Sequence, residues 1–80
     1  MAHSQDEKPK PRDKVILTGL PVGFLADLPT EDQRAISAVI GKPIALNEYD
    51  EDGRAELEFT DGNGNIHFIY VSSDFIKVVK

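Results

Sequence analysis

Residues 68–79 read FIYVSSDFIKVV: an apolar run, a short polar step and a second apolar run. Whether this is one strand or two decides the fold. Ser72, Ser73 and Asp74 are residue types whose side chains bond their own backbone, so one 3₁₀-like turn over 72–75 can redirect the chain without a true loop. The stretch therefore reads as the end of a strand over 66–71, a corner, and a last strand over 76–79.

Upstream of that corner the period is two. RAELEFT (54–60) sets Ala55, Leu57 and Phe59 on one face against Arg54, Glu56, Glu58 and Thr60 on the other. PIALNEY (43–49) leads into it through DEDG (50–53), which predicts a hairpin with one wet face. DGNGN (61–65) predicts a second reversal, with Asn63-Gly64 suited to a type I′ turn. IHFIYV (66–71) returns as a strand that is apolar at nearly every position and reads as central or covered on both faces.

Further back, TEDQRAISAVIGKP (30–43) carries helix signals. Thr30 stands as N-cap with Gln33 three residues on, Glu31 and Asp32 lie in the first turn, Gly41 ends the helix and Pro43 follows. A helix over 31–40 results, with Ala35, Ile36, Val39 and Ile40 on one side. KVILTG (14–19) is β-branched and apolar, and predicts the first strand over 14–18. Between it and the helix, GLPVGFLADLP (19–29) has two Gly and two Pro, so it reads as an apolar loop. Val15, Leu17, Leu46, Leu57, Phe59, Phe68 and Ile76 are the expected core.

The expectation is a mainly β domain over 14–80: a five-stranded antiparallel barrel with one short helix inserted between strands 1 and 2. Closing the barrel by pairing the last strand with the first would hide edges that otherwise invite aggregation. The order strand, long loop, strand, hairpin, hairpin, one-turn 3₁₀, strand resembles the SH3-like barrel over residues 14–80. The opening DKV, the mid-chain ELEF and the acidic final corner of YVSSDFIKVV are similar to the small prokaryotic SH3-like barrels that serve as accessory subunits of larger assemblies. That resemblance implies a docking piece rather than a catalyst. It does not imply polyproline recognition, because the chain has no Trp and TGLPVGFLADLP differs from the first loop of peptide-binding SH3 domains.

Composition narrows the function classes. The 80 residues suit one small domain, and the absence of Cys removes disulfides and thiolate-bound metal as supports. Residues 1–13 are polar, with Pro9 and Pro11 set between charges, and read as a disordered tail. No apolar run approaches the roughly 20 residues of a membrane span, and no signal-peptide core opens the chain, so a cytoplasmic protein is expected. Lys8, Lys10, Arg12 and Lys14 against Asp6, Glu7 and Asp13 leave the first 14 residues at +1. The −5 of the whole chain then assigns −6 to residues 15–80, which argues against nucleic acid as a partner.

Chemistry-bearing patterns are few. DGNGN sets Asp61, Asn63 and Asn65 at the first three ligand positions of a calcium loop, but Ile66 stands where Gly is required and Ser72 where a bidentate Glu belongs. No metal and no cofactor are expected. A nucleophile needs a base beside it, and the histidines are His3 in the tail and His67 in a strand, so no catalytic residue is assigned.

The expected role is a non-catalytic protein-interaction module or accessory subunit, monomeric or weakly oligomeric, with an unknown protein partner. Its partner site is placed in the segment between strands 1 and 2. That connection spans about 24 residues where 4 to 6 is usual, and it carries Leu20, Val22, Phe24, Leu25 and Leu28. The competing role for those residues is to plug one end of the barrel. An alternative function is an acidic regulatory or electron-transfer-complex subunit that binds a basic protein through Glu48, Asp50, Glu51, Asp52, Glu56 and Glu58. A small enzyme ranks third.

Overall fold

Val15 and Leu17, two positions apart in the first strand, are both fully buried, as a period of two requires when one face is covered. A computed structural model describes residues 9–79 of the chain. Strands β1 (Lys14–Leu17), β2 (Pro43–Tyr49), β3 (Ala55–Thr60), β4 (Ile66–Val71) and β5 (Ile76–Val78) form a single antiparallel sheet in the order β4-β3-β2-β1-β5. Helix α1 (Thr30–Val39) lies between β1 and β2 in the chain, and a 3₁₀ turn (Ser73–Phe75) joins β4 to β5. The Ser72 hydroxyl caps that turn by accepting the Asp74 N–H at 3.2 Å. The interrupted stretch at the end of the chain is therefore two strands and a corner.

First and last strands pair, with Val15 opposite Val78 and Leu17 opposite Ile76. This pairing does not close the sheet. β1 is an inner strand held by β2 on its other side, so β4 and β5 are the two ends of the row, with no ladder between them.

One face of the sheet is the core side. Val15, Leu17, Ile44, Leu46, Ala55, Leu57, Phe59, Ile69, Val71 and Ile76 are buried there together with Ala35 and Ile36 of α1. Each large aliphatic side chain removed from water in this way stabilises by about 1.5–3 kcal/mol before ordering costs. Six of the seven expected core residues are in this set, and Phe68 is the exception. It is 54% exposed, and Ile69 and Val71 are buried in its place.

The turn before β4 explains the difference. Asp61 N–H donates to the Asn65 carbonyl at 2.9 Å and Gly64 N–H to the Asp61 carbonyl at 3.1 Å, with Gly64 at φ 87°. This is a three-residue loop ending in a left-handed Gly, instead of a two-residue type I′ turn on Asn63-Gly64. It sets Phe59 opposite His67, Leu57 opposite Ile69 and Ala55 opposite Val71, which sends Phe68 outward opposite Glu58. Side chains alternate between faces, so a register one residue away would exchange the two sets. The expected central placement of β4 is also corrected, since it is an edge strand.

DEDG folds in the same way as DGNGN. Asp50 N–H donates to the Arg54 carbonyl at 2.8 Å, Gly53 N–H to the Asp50 carbonyl at 2.9 Å, and Gly53 takes φ 82°. Within β2 the pairing shifts between Leu46 and Glu48. The extra residue, Asn47, forms a bulge that reverses the alternation, so Glu48 pairs with Glu56 on the outer face and Tyr49 turns inward opposite Ala55. Without it Glu48 would follow Ile44 and Leu46 into the core.

The helix start also differs from expectation. Pro29 is the N-cap, Thr30 is already helical, and no side chain caps the first turn. Gln33 reaches back to the Leu28 carbonyl at 2.8 Å, so the capping box does not form. At the other end Gly41 takes φ 87°, and its N–H donates to the Leu17 carbonyl at 2.9 Å, tying the helix terminus to β1.

Of the expected tail, residues 1–8 lie outside the described residues, and 9–13 are hydrogen-bonded to the sheet. Lys10 and Asp13 close a turn with Arg12 at φ 77°. Arg12 N–H then donates to the Leu46 carbonyl at 2.8 Å, and the Tyr49 hydroxyl to the Pro9 carbonyl at 2.7 Å. Burial raises the Tyr49 phenol above its ordinary value, and the nearby Asp13 carboxylate adds to that.

Candidate partner-binding face

The alternation that buries Ile69 and Val71 leaves Ile66, Phe68 and Tyr70 on the outer face of β4, exposed by 58%, 54% and 44%. Three large apolar side chains in one row on an edge strand form a continuous apolar surface, unlike scattered surface hydrophobes. β4 has none of the devices that usually blunt an edge. It has no Lys, Arg, Asp, Glu or Pro, and all six of its residues pair with β3 without a bulge. At the other edge β5 is only three residues long and presents Lys77 to solvent.

Among the described residues the backbone at that edge is also free. Asp61 and Asn65 are a hydrogen-bonded pair, and in an antiparallel ladder bonded and non-bonded pairs alternate. Phe59–His67, Leu57–Ile69 and Ala55–Val71 are accordingly the bonded pairs. The peptide groups of Ile66, Phe68 and Tyr70 point away from β3, and no strand lies beyond β4 among the described residues.

Acidic side chains border this row. Glu58 lies opposite Phe68 and Glu56 opposite Tyr70, with Glu48 opposite Glu56 on the next strand. Asn47 donates to the Glu58 carboxylate at 2.9 Å, whereas Glu48 and Glu56 have no cationic partner among the described residues. Two carboxylates directly opposite one another with nothing between them repel.

The remaining acidic residues behave differently. One carboxylate oxygen of Asp50 accepts the Asp52 and Arg54 N–H groups, and the other takes the Arg54 guanidinium at 3.0 Å. The Arg54 N–H, followed by the Asp52 N–H and the guanidinium charge, holds its carboxyl below the usual range. Asp52 also reaches Arg54, at 3.4 Å, and Glu51 is exposed at the tip. Asp50 and Asp52 thus belong to the turn, and Glu48, Glu56 and Glu58 belong to the outer face.

In the segment between β1 and α1, Leu20, Phe24, Leu25 and Leu28 are half-buried and pack against the core, and Val22 is fully exposed. Three successive turns hold them in place, with Phe24, Ala26 and Leu28 N–H groups donating to Pro21, Gly23 and Leu25 carbonyls, each at 3.1 Å.

A second cluster was not legible in the sequence. A cleft of about 640 Å³ between α1 and the β3–β4 hairpin contains His67, whose Nε2 lies 2.8 Å from the Asp61 carboxylate and whose Nδ1 faces Asp32 at 3.6 Å. The imidazole stacks on Phe59 with ring centroids 5.2 Å apart. The His67 hydrogen bond, with the Asn65 and Asn63 N–H groups, lowers the Asp61 carboxyl to about 2. Both ring nitrogens of His67 thus face carboxylates. Among the described residues no three His, Cys, Asp or Glu side chains are placed to hold a metal ion, and no helix is long and apolar enough to cross a membrane. Only a hint preceded the structure: Asp61 and His67 flank the Gly-rich turn.

Comparison of the chain with protein-family models, with curated proteins and with solved structures found no match.

Proposed function

We propose that this chain is a non-catalytic protein-interaction module, an SH3-like barrel that docks on a protein partner through the outer face and edge of β4. The observation that carries this reading is the row Ile66, Phe68 and Tyr70, exposed on a strand with no edge protection. The SH3-like assignment draws support from the strand order, with β1 between β2 and β5, and from the single 3₁₀ turn before β5. The partner site moves from residues 20–28 to β4, because most of the apolar loop is engaged with the core. Phe68→Ser tests it. Cross-linked partners recovered with the native chain are lost with the variant while the melting temperature stays within a few degrees. Retention of the same partners removes the proposal.

A second reading, an acidic subunit that recruits a basic protein, draws on the Glu48–Glu56 pair that lacks a counter-charge. Salt separates the two readings. Apolar docking survives about 0.5 M salt, whereas association driven by the carboxylates alone fades as the screening length falls well below 10 Å.

A further inference from the structure

Resting on the reading of β4 as a docking edge, we infer that its occupant is an extended, arginine-bearing segment of another protein that adds to the sheet as a sixth strand beside β4. Three features of the edge specify that chemistry. Ile66, Phe68 and Tyr70 each direct an N–H and a carbonyl away from β3, so an incoming backbone finds a regular row of donors and acceptors. The same three residues turn their side chains to the outer face, where alternate side chains of an added strand would lie beside them. Beyond that row stand Glu56 and Glu58, and behind Glu56 the opposed Glu48.

An added strand lies about 4.8 Å from β4 and about 9.6 Å from β3. A short cation cannot bridge the second distance. The long stem of Arg can: its guanidinium crosses the face of Phe68 or Tyr70 and meets the Glu58 or Glu56 carboxylate beyond. One side chain type thus satisfies both the aromatic row and the carboxylates that lack a cationic partner.

A second copy of this chain would satisfy the backbone edge but not the charges. Its own β4 has no Lys or Arg, and its residues 15–80 carry the same −6 derived above from the overall −5. The carboxylates would keep their mutual repulsion, which favours a basic partner strand over self-pairing.

The test uses the full chain and a short probe peptide that alternates threonine with arginine, followed by amide hydrogen exchange in NMR. Binding is expected to slow exchange at Phe68 and Tyr70 by at least about tenfold, as a newly bonded amide requires. His67, Ile69 and Val71, already bonded to β3, should not change. A matched peptide with glutamate in place of arginine should give no protection, and E56Q should weaken the arginine probe by about tenfold without lowering the melting temperature, since it also relieves the repulsion from Glu48. Equal protection by the glutamate peptide, or no protection at Phe68 and Tyr70, overturns the inference. Protection that grows with protein concentration in the absence of peptide assigns the edge to a second copy and overturns it as well. Should Phe68→Ser abolish partner capture while the probe leaves these amides untouched, docking through β4 stands and strand addition falls.

Discussion

His67 Nε2 and the Asp61 carboxylate meet at 2.8 Å across the mouth of the β3–β4 hairpin, so the residue that opens the turn also fixes the first inward side chain of β4. The other Asp61 oxygen accepts the Asn63 and Asn65 N–H groups at 2.8 and 3.0 Å. Asp50 plays the same part in the β2–β3 hairpin, with Arg54 in place of His67. Each aspartate organises a turn with one oxygen and spends the other on a nearby cation or imidazole.

Acid should loosen this hairpin in a defined window. The Asp61 carboxyl is depressed from 3.8 to about 2, so its contribution is complete above pH 3.8 and is lost as pH falls toward 2. Asp61→Asn should reduce the fall in melting temperature across that window relative to the native chain. Melting curves between pH 2 and 6 check this, and parallel curves for the two proteins would refute it.

Neighbouring residues in β4 should respond in opposite ways to truncation. Ile69→Ala removes a buried side chain and should cost about 2–4 kcal/mol, while Phe68→Ala should cost well under 1 kcal/mol. Urea unfolding decides between this register and the one in which Phe68 is core. A larger loss for Phe68→Ala would reverse the assignment of faces.

The apolar loop should divide in the same manner. Phe24→Ser takes a half-buried ring away from the core and should destabilise by about 1–2 kcal/mol, whereas Val22→Ser should stay within about 0.5 kcal/mol. Thermal melting of the two variants measures how far the segment serves the fold.

On the outer face, Glu48→Lys replaces a repulsive pair with an attractive one opposite Glu56 and should stabilise by about 0.2–1 kcal/mol. The gain should shrink in 1 M salt. An unchanged or lowered stability at low salt would mean that Glu48 and Glu56 do not interact.

Much of the fold follows from short-range rules that can be read along the chain. The period of two in residues 54–60, Gly41 and Pro43 after the helix, and the Ser-Ser-Asp corner each act over a few residues, and the strands and helix fall within a residue or two of their expected bounds. Six core positions follow from the same alternation. Three features depended on tertiary structure instead. The face assignment within IHFIYV ran against its one local signal, since His67 shares the inward parity with Ile69 and Val71; the register set at DGNGN decided it, and Asp61 and Asp32 made the inward His67 tolerable. The bulge at Asn47 answered to the burial of its neighbours, because only the packed sheet makes an inward Glu48 costly. The candidate docking face lies at β4 for a similar reason. Whether a strand is central or an edge depends on which other strands pair with it, and pairing between distant segments is settled by the free energy of the whole sheet, which no residue in β4 encodes alone.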